Sequence, residues 1–183
     1  MYAERREYRL VLSNVDRGIT LPDARPLVLS RHPSETLEHL TLRVLAWALL
    51  YEERLEFGPG LCVGDAPDLV ATDLTGKVAT WVACGDVSPH LAQRILQHNR
   101  QAAVHVVFGD PSRREAFLAE VARWGTRLPR GWDRLALWSF DPGLIAALAA
   151  NQSLRQRWTL TVVGDHLYVD TGPLQVDGPI RRG

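Results

Sequence analysis

The stretch Asp68-Leu69-Val70-Ala71-Thr72-Asp73-Leu74-Thr75-Gly76-Lys77-Val78-Ala79-Thr80-Trp81-Val82-Ala83-Cys84 reads as a β-hairpin. Two extended runs, Asp68 to Leu74 and Lys77 to Cys84, flank a short glycine-containing turn. With Thr75 and Gly76 as the loop, Leu74 pairs with Lys77, and counting back sets Asp68 opposite Ala83 and Asp65 opposite Asp86. Side chains directly opposite on one face approach within roughly 5 Å. Acids at 68 and 83 would together hold Mg²⁺, which takes carboxylate oxygens and keeps waters. Only the first acid is present, and a bulge would shift the pairing by one.

Upstream of the hairpin, Tyr8–Val15 and Arg25–Ser30 read as strands separated by turn residues. Ser34 stands at a helix N-cap position, with Pro33 before it discouraging an earlier start. Leu37–Leu50 is apolar on most sides, as in a buried helix. Downstream, Ser88-Pro89 opens a helix to about Gln101, and Ala102–Phe108 is a buried strand. Asp110-Pro111 starts a helix reaching Trp124, Leu135–Phe140 is a strand, and Asp141-Pro142 opens a short helix over Leu144–Ala150. Arg157–Val163 and His166–Asp170 form a second hairpin around Gly164-Asp165. Strands alternating with helices predict an α/β fold, one mixed β-sheet flanked by helices. The 183 residues fit a single domain, 1–183, with 173–183 as a loosely ordered tail.

Composition narrows the function. Hydrophobic residues make up 46% and charged residues 23%, which excludes a disordered or fibrous chain. Basic and acidic residues balance at 21 each, which argues against a protein that coats nucleic acid electrostatically but leaves room for a local basic groove. Lys77 is the only lysine, a bias we read as compositional. Cys62 and Cys84 are the only cysteines, so a disulfide scaffold is excluded and a reducing cytoplasm is the expected location. Cys84 reads as a small core residue. No apolar run is long enough to span a membrane, and the charged N-terminus does not resemble a signal peptide. Trp124 and Trp132 read as half-buried aromatics or interface residues.

Phosphate-binding glycine loops, zinc motifs and a nucleophile elbow are all absent. Glu35 and Glu38, three apart, share one helical face in the first turn. They either complement the positive end of the helix dipole or reach a metal beside the sheet.

At these residues the chain becomes familiar. Arg31-His32-Pro33-Ser34-Glu35-Thr36, Leu42-Arg43-Val44-Leu45-Ala46-Trp47, Glu53-Arg54-Leu55-Glu56-Phe57 and Gly60-Leu61-Cys62, with Asp65 and Pro67 after them, closely resemble the YaeQ family of small bacterial proteins. The resemblance is dense from Arg31 to Gly85 and looser in the flanks. It implies a restriction-endonuclease-like core, a variant of the PD-(D/E)XK nuclease architecture, with extra β-hairpins. Carried over, the metal ligands are Asp68, Glu35 and Glu38, and the ion is Mg²⁺ or Mn²⁺; in the hairpin, Asp65 and Asp86 compensate for the missing acid only if the strand ends twist inward, since alternation puts them one step off the face of Asp68. The family's second hairpin acid lies in a Trp-x-Glu-x-Gly pattern, which here reads Trp81-Val82-Ala83-Cys84-Gly85, so alanine replaces the glutamate. The lysine that completes such a site migrates to the following helix in some variants. That helix carries a polar stripe of Arg94, Gln97, His98 and Gln101, with Gln97 or Gln101 as the substitute.

Three readings follow. In the first, the protein is a metal-dependent phosphodiesterase on nucleic acid, with Glu38 and Asp68 as catalytic acids and Arg31, His32, Ser34, Arg94 and Arg100 steadying the substrate. In the second, it is a non-catalytic module binding nucleic acid or a protein partner, in the transcription-linked work with which the family is associated. In the third, the Arg31–Thr36 segment only caps a helix. The balanced charge and the missing acid at 83 both favour the second reading, and the reading adopted is a nuclease-derived protein whose activity is reduced or lost.

Overall fold

In a computed structural model of the chain, the described residues are 4–22, 26–59, 66–125 and 128–183. They form a mixed α/β fold with two mixed sheets and four α-helices. The first sheet contains β1 (Glu4–Asn14), β2 (Ile19–Leu21), β3 (Leu27–Arg31), β9 (Arg155–Val163), β10 (His166–Asp170) and β11 (Gln175–Pro179). Its order is β11-β10-β9-β1-β2, with β3 also on β1, and only the β1–β9 pairing is parallel. The second sheet contains β4 (Glu56–Phe57), β5 (Leu69–Thr72), β6 (Val78–Cys84), β7 (Ala103–Phe108), β8 (Leu135–Ser139) and β12 (Arg181–Arg182). Its order is β12-β8-β7-β6-β5-β4, with β6, β7 and β8 parallel. The single sheet expected from the sequence is therefore two sheets. Alternation identifies strands locally, whereas the sheet each one joins depends on pairings far along the chain.

Helix α1 (Leu37–Leu50) lies between the sheets and packs on α4 (Pro142–Ala150), β1, β6, β7 and β9. Its apolar residues are buried almost all round because both neighbouring layers are protein, as expected of a helix hydrophobic on every side. The main core joins Tyr8, Leu10 and Leu12 of β1, Trp158 and Leu160 of β9, α1, and the face of β5 and β6 carrying Leu69, Val82 and Cys84. The opposite face of the second sheet is covered by α2 (Pro89–His98) and α3 (Pro111–Ala122), over Ala83, Val106 and Phe108.

The tail expected to be loose instead forms β11 and β12. Ile180, buried between these two strands, donates its N–H to Asp165 O at 2.6 Å, and the chain crosses there from one sheet to the other.

In the first hairpin, Asp73 N donates to Lys77 O at 2.8 Å, so the loop is Leu74–Gly76 rather than Thr75–Gly76. Asp73 Oδ1 accepts from the N–H groups of Thr75 (2.7 Å) and Lys77 (3.0 Å), and Gly76 takes φ of 81°, which glycine adopts without strain. The one-residue shift is undone by an irregularity between Ala71 and Thr72, which leaves Ala79 unpaired. Beyond it Leu69 pairs with Val82 and Ala71 with Thr80, the register expected from the shorter turn.

Candidate functional site

Glu35, His39 and Arg43 recur every four residues: His39 and Arg43 share one face of α1, and Glu35, just before the helix, lines up with them. Thr36, not Ser34, caps this helix: its hydroxyl accepts from His39 N at 3.1 Å. The cap lies two residues later than expected because Glu35 N closes a turn onto His32 O at 2.9 Å. Ser34 instead pairs with His32, Oγ to Nδ1 at 2.6 Å.

Glu35 is 1% exposed. Its Oε1 faces His39 Nδ1 at 2.8 Å and accepts from Arg43 Nη1 at 3.1 Å. The same guanidinium sets Nε 3.4 Å from Asp68 Oδ1 and donates through Nη2 to Gly58 O at 3.1 Å. His39 Nε2 lies 3.7 Å from Asp68 Oδ1, and Cys84 N donates to Asp68 Oδ2 at 2.7 Å. One imidazole and one guanidinium thus tie the helix acid to the hairpin acid.

The titration behaviour follows from this arrangement. Burial pushes the Glu35 pKa up, but the His39 hydrogen bond and the Arg43 charge outweigh it, and the net shift is downward. Burial pushes His39 down, yet its bond to Glu35 and the charges of Asp68 and Glu35 leave it raised. For Asp68, burial outweighs the Cys84 N–H and the nearby cations, and its pKa is raised. Cys84 is buried and its thiol is pushed well up, first by burial and then by Asp68. That is the inert core cysteine expected.

His39 also lines an open cavity of about 390 Å³ with Glu38, Gly85, Asp86, Asp110 and Arg113. Gly85 has φ of 88°, and a Cβ there would lie 3.4 Å from His39 Cδ2, so its backbone floors the imidazole. Glu38 is exposed on this rim and does not join the buried network.

Mg²⁺ requires several open oxygens converging at short range. Of the four oxygens of Glu35 and Asp68, Glu35 Oε1 and Asp68 Oδ2 accept hydrogen bonds, and Asp68 Oδ1 has only the ion-pair contacts of Arg43 Nε and His39 Nε2; Glu35 Oε2 and Arg43 Nε are buried with no hydrogen-bond partner. A single orphan acceptor suits a buried water better than an ion needing two or more carboxylates. Among the described residues no three His, Cys, Asp or Glu side chains are grouped to hold a metal. The donor set therefore fits a guanidinium–imidazole clamp rather than Mg²⁺ or Mn²⁺. Asp65 lies outside the described residues.

The remaining expected site residues are dispersed. Arg31 donates to Glu4 Oε1 (3.0 Å) and Glu35 O (2.6 Å), binding β1 to the helix start. Ala83 packs under α2 and α3 with Ala92, Val106 and Phe108, while the Asp68 carboxylate curls toward α1. Helix α2 starts just past the end of β6 and returns antiparallel to it. Its last turn therefore lies at the far end of the strand. Gln97 and Arg100 line a cleft with Arg130 and Arg134, Arg94 lines another with Trp81, and Gln101 is exposed. The structure does not bring these four to the acids. His39 and Arg43 were missed by sequence reasoning, although the spacing of four from Glu35 carried the signal.

Comparison with known proteins places this geometry in context. The family model described as YaeQ protein matches residues 1–178. "Uncharacterized protein YaeQ" of Escherichia coli (strain K12) is 45% identical over 59 residues, 32% of this chain and 33% of that protein, so the match spans about a third of that relative. The protein of the same description in Salmonella typhi is 32% identical over 140 residues, covering 75% of this chain and 72% of that one. The crystal structure of YaeQ protein from Xanthomonas axonopodis pv. citri superposes with a TM-score of 0.82 at 25% identity, covering 98% of this chain and 97% of that chain. The YaeQ protein of Pseudomonas syringae, at 23% identity and a TM-score of 0.82, shares the fold over 98% of this chain and 95% of its own.

Proposed function

The chain belongs to the YaeQ family, and from that premise we propose that it is a nuclease-derived scaffold of the restriction-endonuclease-like, PD-(D/E)XK type whose metal-dependent phosphodiesterase activity on nucleic acid is reduced or lost. In support, a first-helix glutamate and a hairpin aspartate meet beside a sheet that runs from an antiparallel hairpin into parallel strands. The observation that carries the reading is Arg43. Its guanidinium stands between Glu35 and Asp68, where a nuclease of this type has its ion. It contacts both acids with a single positive charge, where a divalent ion would bring two, and it has no open coordination position and generates no hydroxide. Ala83 in place of the second hairpin acid points the same way. A protein of this kind works by binding, to nucleic acid or to a protein.

The test is isothermal titration with Mg²⁺ and Mn²⁺, run beside cleavage assays on single- and double-stranded DNA and RNA. No binding heat and no metal-dependent cleavage are expected. Millimolar or tighter binding, with cleavage that disappears in Asp68→Asn, overturns the reading.

A further inference from the structure

A cleft of about 630 Å³ opens between the two sheets, lined by Arg17, Arg114, Arg181 and Arg182 together with Trp138 and Asn14. The four arginines come from the turn after β1, from α3 and from β12, so the fold gathers them from three distant segments. Asp16 and Asp165 also line it, but Asp16 Oδ2 is spent on Gly164 N at 2.6 Å. Among the described residues none of the four arginines lies within 4.0 Å of a carboxylate, in a chain whose formal net charge is zero. Among the described residues the Arg17 side chain makes one long bond, to Leu49 O at 3.5 Å, and Arg114 Nε is buried with no hydrogen-bond partner.

The Arg182 guanidinium lies over the Trp138 ring, 5.1 Å from its centroid. Trp138 is itself fixed by donating Nε1–H to His105 Nδ1 at 3.1 Å. Burial pushes the His105 imidazole down to about 4, with Arg182 and Arg17 adding in the same direction, so it accepts that bond as a neutral ring. Arg182 is exposed. An exposed guanidinium over an indole offers a planar base a cationic and aromatic surface to stack on, while the neighbouring arginines suit phosphate. The volume falls in the range of sites for small ligands.

We propose that this arginine cleft, with Trp138 and Arg182 as its stacking platform, binds nucleotide phosphate, free or within a single strand. The proposal does not depend on the preceding reading, because it uses different residues and no acid or metal.

The test is fluorescence anisotropy with a fluorescein-labelled single strand of about 12 nucleotides, a length within the usual span of single-strand sites. ATP and a poly-glutamate peptide serve as competitors, and salt is varied from about 50 to about 200 mM. The R181Q/R182Q variant is expected to bind at least about tenfold more weakly and to lower the salt slope by about 1.4. Arg114→Gln and Arg17→Gln should each weaken binding, and the exposed Arg123→Gln, outside the cleft, should not. Thermal melts confirm that each variant folds. Displacement by ATP supports a free nucleotide, and binding of the strand without such displacement supports a strand site. Absence of binding at low salt, affinity unchanged in R181Q/R182Q, or equal displacement by poly-glutamate overturns the proposal.

Discussion

Arg43 Nη1 and Glu35 Oε1 are 3.1 Å apart, and both side chains are almost wholly removed from solvent. A buried ion pair of this kind is weak evidence of net stabilisation, because desolvation offsets attraction. Removing one partner is another matter.

Arg43→Met leaves Glu35 charged, buried and facing only His39. The expected cost is about 3–5 kcal/mol, read from urea denaturation at neutral pH. Arg43→Met with Glu35→Gln should recover a large part of it. A double variant no more stable than the single one would show that the charge pair is not the source of the loss.

The pH dependence has a definite sign. His39 is raised in the folded state, so its contribution is complete below the ordinary imidazole value of 6.5 and is lost as pH rises through the folded value. Glu35 is depressed, so its contribution is present above the ordinary 4.5 and is lost as pH falls through the folded value. Asp68, raised by burial, opposes Glu35 on the acid side. Wild-type stability should therefore fall relative to His39→Gln as pH climbs above 6.5. NMR titration of the His39 ring should give a midpoint above that of a free imidazole.

Ala83→Glu restores an acid by sequence but sends it among Ala92, Val106, Phe108 and Phe117. A carboxylate buried there without a partner should lower the melting temperature. Metal-dependent cleavage should not appear while Arg43 still spans Glu35 and Asp68. Cleavage in the single variant would mean that the new side chain reaches the acids.

Arg134 donates to three carbonyls at the end of α2: Leu96 (3.1 Å), Asn99 (2.8 Å) and Ala102 (2.7 Å). These are orphan acceptors or their near neighbours, so Arg134→Ala should cost about 1.5–3 kcal/mol. Gly131→Ala should mimic it in part. Its φ is 94°, and a Cβ would meet Arg134 Nη2 at 2.6 Å. Faster amide exchange confined to the last turn of α2 would identify the cause.

Much of this was legible in the chain. The buried helix over Leu37–Leu50 and the proline-opened helices at Pro89, Pro111 and Pro142 follow from local chemistry, and the structure has them there. The pairing of Leu69 with Val82 was also legible, although for an incomplete reason, since a longer loop and an irregularity in the strand cancel. Periodicity sets which side of α2 Gln97 and Arg94 occupy, but not that its last turn lies at the wrong end of β6. The clamp was hidden by reading Glu35 with Glu38 at a spacing of three. The productive partners stand at spacings of four and eight, and one of them is an arginine inside an apolar helix.

The crossing at Ile180 has a mechanical consequence. Only Ile180 separates the last rung of one sheet, at Pro179, from the first rung of the other, at Arg181, so pulling the layers apart would strip backbone bonds from both at once. Such a seam leaves no slack for a hinge. Opening of either layer should be felt by the other, and the arginine-lined gap between them should keep a fixed width instead of breathing.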